Sequence, residues 1–429
     1  MKFRFWIALI AELALFASLN LFDDWALQLM PVKFVAAAIA CGVAYLLATA
    51  EFAATAKNAV ALFWVVTIAL RLLALPLEPA NEVWRYQADG AMQRAGLNPY
   101  KTSPVAAGDA VKVADIARVP RNDEPTAYAP GAEILFRAVP MSESALSYKV
   151  IFAVADLLAV GLLLRLVDVR TAAWFAWNPL VAYSFAGAAH FDSTVLLAIV
   201  TMLAALTSFE ESGKIRSRCI YAIGAAIVLG LAISVRPIMI VLLLPTAFAL
   251  RGYAVTLLLG ILAPLVAGVA VGISSFARWN FFGDYAQVNR LNDLSWWILE
   301  DTLWPNWHQQ HYRYDVVIGI VSTIIALVFV RNWKRGLLWS LGATIILSPV
   351  LHAWYVTWIL PLATWRRAFG WHLLSVTIFA YYLFFNQRGL FAMELPWHAD
   401  PWLRGMIILP VVFALAMLAR QRFLRKESS

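Results

Sequence analysis

Glu82, Arg85, Tyr86, Asp89 and Gln93 succeed one another three and four residues apart, the spacing of one helix face. These types can do chemistry together. A carboxylate takes a proton from a hydroxyl, a guanidinium holds an anion, and tyrosine rings stack on or hydrogen-bond a polar ligand. Asn81 stands where an N-cap belongs, Gly96 where a helix ends, and Pro99 forbids its continuation. Glu82 falls in the first turn, where the helix dipole and free amides favour an ionised carboxylate. The pattern predicts an amphipathic helix lying at a membrane surface. A solvated face with weak local ion pairs would show the same spacing. The downstream sequence favours a site: Asn98-Pro99-Tyr100 leads into a long loop with a second turn at Thr126-Ala127-Tyr128-Ala129-Pro130.

Other residues of this kind lie far along the chain. Arg236 comes directly after an apolar run, in Ser234-Val235-Arg236-Pro237, which is costly unless it meets an anion or snorkels outward. His352 stands inside an apolar stretch, where a lone histidine is ordinarily a satisfied buried one. His190 and Asp192 lie two apart at the start of an apolar run, and Asp192 could simply cap the helix that begins there. The loop Ala277–Arg313 sets Trp279, Trp296, Trp297, Trp304 and Trp307 beside Arg290, Asn292 and Asp293. Its rings suit either sugar stacking or membrane anchoring.

The elements that must position these residues are membrane helices. Of 429 residues 62% are hydrophobic and only 14% charged, with mean hydropathy +0.72. A soluble domain is about half apolar and a quarter charged, so a soluble enzyme and a disordered chain are both excluded. The net charge of +8 marks loops facing anionic lipid rather than a nucleic-acid surface. Cys41 and Cys219 imply no disulfide framework. Apolar runs from Phe3–Phe22 to Met406–Leu418 predict 12 to 14 spans, the first of them retained rather than cleaved. Placing Lys2 and Arg4 inside puts Arg165–Arg170, Lys214–Arg218, Arg331–Arg335, Arg366–Arg367 and Arg422–Lys426 inside too, and with them both termini. That count needs Gly336–Trp365 to enter and return, with an apex near Ser348–His352. The loops 78–149 and 277–313, the link Ala188–Asp192, the turn Val235–Pro237 and the apex then all face outward. No internal repeat is visible. The expected fold is an all-α polytopic membrane protein, one transmembrane domain over 1–429.

Several motifs together resemble the membrane glycosyltransferases of GT-C fold. These are Glu82-Val-Trp-Arg-Tyr86, Asp89-Gly90, Ala95-Gly-Leu-Asn-Pro-Tyr100, Tyr128-Ala-Pro130, Trp177-Asn-Pro-Leu180 with Gly187-Ala-Ala-His190-Phe-Asp192, and Ser348-Pro-Val-Leu-His352-Ala-Trp354-Tyr355. The ordered set is most similar to the bacterial polyprenyl-phosphate-mannose-dependent mannosyltransferases, related to glycosyltransferase family 87 and to the GPI mannosyltransferase that adds the first mannose. The family usually carries Asp at or beside the position of Glu82, Asn where Phe191 stands, and Pro where Ala353 stands.

The resemblance implies transfer of a hexose, mannose by preference, from a polyprenyl-phosphate donor to an envelope glycolipid or glycan on the extracytoplasmic face of the plasma membrane, by one-step inverting displacement. It implies no metal and no cofactor. Glu82 is then the base, with Asp89 as competitor and His352 beside them. Arg85, Arg236, Arg290 and His352 are the candidates for the departing phosphate, and Tyr86, Tyr128, His190, Asp192, Asn292 and Tyr355 for donor and sugar contacts. Two other classes stay open. A transporter or flippase would carry paired repeats and a midplane site, whereas Glu12, Arg71 and Asp156 are scattered. A non-catalytic subunit of an envelope assembly would keep a degenerate site.

Overall fold

The computed structural model describes residues 3–22, 31–53, 58–111, 116–140, 144–272, 292–298, 303, 314–383 and 401–427, and among them every regular element is helical. Six helical stretches are long and apolar enough to cross a membrane: Phe3–Leu21, Pro31–Glu51, Leu146–Leu163, Asp192–Glu211, Ile215–Val235 and Pro237–Ala270. Three shorter apolar helices, Ala59–Ala74, Tyr314–Val328 and Trp402–Met417, join them. Each is predominantly apolar, as a hydrocarbon surround requires.

The stretch Pro237–Ala270 is not one straight crossing. Thr256 Oγ1 donates to the Ala222 carbonyl at 3.4 Å, and Gly260 lies against Ala226. Leu257–Ala270 therefore runs parallel to Ile215–Val235, and the piece between them, Pro237–Leu250, must return to the starting side. Helix Trp333–Ile346 and the succeeding Ala353–Arg366 form a second such return. The Trp365 ring lies 5.8 Å from that of Trp333, so both arms share one end and the Ser348–His352 apex is at the other.

The two ends differ. One carries the basic segments, tied by Lys334–Glu210 at 2.9 Å, Trp333 Nε1 to Glu210 at 2.6 Å and Arg367–Asp168 at 3.3 Å. The other gathers the link Ala188–Asp192, Arg236, the His352 apex and the lobe built from residues 78–149. Inside the bundle, Arg71 and Asp156 form a buried ion pair at 2.7 Å, and Arg71 also donates to the Ala176 carbonyl. Glu12 is fully buried, with no hydrogen-bond partner on either carboxylate oxygen among the described residues.

The helix expected from Asn81 onward is present as Glu82–Arg94. It ends as the sequence suggests, with Gly96 at φ +80°, Gly96 N–H on Gln93 O and Leu97 N–H on Met92 O, the hydrogen-bond pair of a Schellman motif. Two expectations are corrected. Asn81 has helical dihedrals and makes no side-chain cap. The helix also does not lie on a surface with one face solvated, because Val83 through Met92 are all buried. Helix Pro130–Ala138 and the start of Leu146–Leu163 fold over it, enclosing Val83, Tyr86, Ala88, Phe136 and Tyr148 in a second hydrophobic core.

Candidate active site

Glu82 stands in the first turn of its helix, half-buried, on the wall of a cavity of about 270 Å³. The cavity lies between this helix, the turn at Arg236 and Pro237, the Ser348–His352 apex and the helix Tyr314–Val328. Burial pushes the Glu82 carboxyl above the ordinary carboxylate range. Its own backbone amide and then Arg236 pull it back, and Asp192 raises it again. The result is a stronger base than a free glutamate, held beside a fixed cation.

That cation is clamped. Helix Ile215–Val235 ends at Arg236, whose Nε and Nη2 donate to the two oxygens of fully buried Asp192 at 2.7 and 2.9 Å. Trp358 Nε1 donates to the same carboxylate at 2.9 Å. The guanidinium lies 4.4 Å from the Phe191 ring, 5.4 Å from Tyr355 and 5.8 Å from Trp358, a box of aromatic faces that suits a cation. Phe191, at the position where the resembling family often has Asn, thus has a packing role. Asp192 also opens helix Asp192–Glu211, so its negative charge meets that helix's N-terminus as well.

On the apex, His352 and His190 sandwich Trp354, with ring centroids 4.4 and 3.7 Å away and planes within 4° and 17° of parallel. His352 Nδ1 lies 2.9 Å from the Tyr381 hydroxyl. Burial, then His190 and Arg236, push His352 down to about 3, and burial and Arg236 push His190 down as well. Both rings are therefore neutral at neutral pH. His352 lines the cavity and can offer a neutral N–H, whereas His190 lies behind Trp354. His190 comes after a π-helical turn, Tyr183–Gly187, and Ala189 at φ +61°, which swing it toward the apex.

Tyr86, Tyr128 and Tyr355, candidates for donor and sugar contacts, line the cavity. Three other expected site residues have different work. Arg85 touches the cavity, but its Nε donates to both oxygens of Asp89 at 2.9 and 3.0 Å, Nη1 to the carbonyls of Pro120 and Arg121, and Nη2 to Glu124 O. It clasps the loop rather than waiting for a phosphate. Asp89 is fully buried, does not line the cavity, and shares hydrogen bonds with Arg85, Thr126 and Glu133. Asn292 is likewise fully buried, and its Nδ2 donates to Leu351 O at 3.3 Å. Arg290 lies outside the described residues, as do Trp279, Trp304 and Trp307.

Glu133, Trp358 and Tyr381 were not foreseen. Glu133 accepts from Thr126 and Gln93 at 2.7 Å each, and with Asp89 forms a buried acid pair holding the lobe together. Nothing in the sequence announces it, since Gln93 and Asp89 come from helix Glu82–Arg94 and Thr126 from the loop before its own helix. Trp358 carries a weak signal, standing four residues beyond Trp354. Among the described residues no three of His, Cys, Asp and Glu converge where a metal ion could sit.

Beside the charged groups, which include Arg121 and Asp315 as well as Glu82 and Arg236, the cavity is lined by Pro237, Ile238, Ile318, Ile345, Val350 and Leu351. A chamber whose lining combines a carboxylate and a clamped arginine with aliphatic side chains suits a ligand with a polar head and an apolar tail. No curated protein and no solved structure matches the chain. Residues 12–252 match the family described as alpha-(1->6)-mannopyranosyltransferase, N-terminal domain. That stretch exceeds half of the chain and contains Glu82, Asp192 and Arg236, so the chain belongs to this family of mannosyltransferases.

Proposed function

We propose that the protein transfers mannose from a polyprenyl-phosphate donor to a glycan or glycolipid acceptor at the extracytoplasmic face of the plasma membrane. The observation that carries this reading is the pairing, across one cavity, of Glu82 beside Arg236 with an aliphatic wall. Glu82 takes the proton of the acceptor hydroxyl as its oxygen attacks the anomeric carbon. The bond from that carbon to the phosphate oxygen breaks on the opposite side, so the configuration inverts. The leaving polyprenyl phosphate gains negative charge, and Arg236 and the neutral N–H of His352 stabilise it there. Arg236 needs no reorganisation, because Asp192 and Trp358 hold it already. The prenyl chain lies along Ile238, Ile318 and Ile345, and Tyr86, Tyr128 and Tyr355 hold the sugar.

The facing is argued from charge. Arg170, Lys334, Arg335 and Arg367 crowd the far end of the bundle, and basic segments stay cytoplasmic. The cavity then opens outside, where nucleotide sugars are absent and a lipid-borne donor supplies the mannose. Reconstitution of the purified protein with polyprenyl-phosphate mannose and an envelope extract tests the reading. Transfer by the wild type and its loss in Glu82→Gln are expected. No transfer from any lipid-phosphate sugar would overturn it.

A further inference from the structure

We propose that Asn292–Ile298 is a strap that positions the His352 apex, anchored through the ion pair of Asp293 with Arg404, so that the C-terminal helix takes part in donor binding. This rests on the reading that His352 faces the donor phosphate.

Helix Trp333–Ile346 stops before Ser348-Pro349, which leaves its last carbonyls without helical donors. The strap supplies them. Ser295 Oγ donates to Ile346 O at 2.8 Å and Trp296 Nε1 to Leu347 O at 2.6 Å. Asn292 Nδ2 reaches Leu351 O, one residue before His352. Asn292 has φ +53°, a left-handed conformation that asparagine tolerates, and it turns the chain into this position. The Trp296 ring packs at 4.6 Å on Tyr314, which lines the cavity.

The strap is itself held from the far end of the sequence. Asp293 Oδ2 accepts from Trp297 N–H at 2.8 Å, and Oδ1 from Arg404 Nη2 at 2.8 Å. Both charged side chains are buried, at 0% and 2% exposure. Arg404 belongs to helix Pro401–Glu427, which touches the strap and lies outside the stretch that matches the family. His352 sits on irregular backbone between a helix end and a 3-10 start, so these side-chain bonds, rather than a ladder of its own, hold the backbone from which its ring reaches Tyr381 and Trp354. A misplacement of about 1 Å costs roughly 100-fold in rate at a reacting centre.

Two variants test this without leaving a lone buried charge: Asn292→Ala/Ser295→Ala, and Asp293→Asn/Arg404→Met. Each is expected to raise the donor KM by about tenfold, with the acceptor KM within about twofold of wild type. Inhibition by free polyprenyl phosphate should weaken in the same proportion. In a His352→Ala background the strap changes should add no further loss, because their effect passes through that ring. Hydrogen exchange at the amides of 350–355 should quicken in both variants. An unchanged donor KM in Asn292→Ala/Ser295→Ala, or a full additional loss on top of His352→Ala, would overturn the proposal. If the wild type transfers nothing, the functional reading has failed instead, and exchange alone judges the strap: unaltered apex amides in both variants would overturn it.

Discussion

Asp192 accepts both Nε and Nη2 of Arg236, at 2.7 and 2.9 Å, across 44 residues of sequence. The fork joins the link after Gly187 to the end of helix Ile215–Val235, and it makes Arg236 a fixed part of the cavity wall. Removing one partner of a buried pair costs about 3 to 5 kcal/mol. Arg236 keeps some solvent contact, so Asp192→Ala is expected near the lower end. Thermal unfolding in detergent measures it, and an unchanged melting temperature would show that the fork contributes nothing.

Glu82 and Asp89 separate cleanly. Glu82→Gln should lower kcat by roughly 100- to 10,000-fold, the usual worth of a general base, with little change in melting temperature. Asp89→Asn should instead lower stability and retain most of the turnover, because Asp89 faces Arg85 and Glu133 behind the cavity wall. A dead, well-folded Asp89→Asn beside an active Glu82→Gln would exchange the two roles.

The pH dependence is set by the raised Glu82 carboxyl. The base must be ionised, so kcat/KM should fall as pH drops through a value above the ordinary carboxylate range. Arg236→Gln removes a charge that lowers this value, and the acid limb should move to still higher pH. His352, pushed down to about 3, should contribute no limb near neutrality. A pH–rate profile with its limb below about 4 would contradict the assignment.

The Asp89–Glu133 pair makes a different demand. Burial first, and then mutual repulsion for Glu133, raise both carboxyls. A group whose folded value is raised contributes stability that is complete at low pH and is lost as pH rises through that value. Glu133→Gln keeps a neutral side chain for Thr126, Gln93 and Asp89. Its melting temperature should therefore fall less than that of the wild type as pH rises from the ordinary carboxylate range through the raised Glu133 value. Parallel curves would mean that the Glu133 carboxyl is not raised in the folded protein.

Gly131 sits where helix Pro130–Ala138 meets the last turn before Arg236. A methyl group there would lie 2.7 Å from the Ser234 carbonyl, closer than atoms of these types approach. Gly131→Ala should cost about 1 to 3 kcal/mol by overpacking and displace Arg236 with its helix end. Loss of transfer together with a lowered melting temperature is the expected result. A variant with wild-type values of both would show that the two helices separate freely.

The helix Glu82–Arg94 and its Gly96 terminus were legible because spacing and a chain-reversing glycine act locally. Its burial was not, since that depends on residues 130–152 closing over it. Arg236 was legible as a charge needing a partner, but not that the partner is Asp192. Arg85 shows the opposite limit. A guanidinium beside a carboxylate on a helix suggests anion binding, yet three backbone carbonyls from residues 120–124 converge on it only in the folded lobe. The stacked His190, Trp354 and His352 come from two motifs noticed separately, and only the π-helical turn with the left-handed Ala189 explains why they meet.

The two returning arms beside the cavity are short. Pro237–Leu242 is a 3-10 turn of 6 residues before the 8-residue helix Leu243–Leu250, and Ala353–Ile359 is one of 7 before the 7-residue Leu360–Arg366. At about 2.0 and 1.5 Å per residue each arm extends only about 24 Å, against a hydrocarbon slab of about 30 Å. Neighbouring helices enclose much of both arms, with Met239, Leu242, Ile359, Leu360, Leu362 and Ala363 fully buried, so the missing length is made up by surrounding protein and the polar ends at Arg236 and His352 are carried inward between full-length helices.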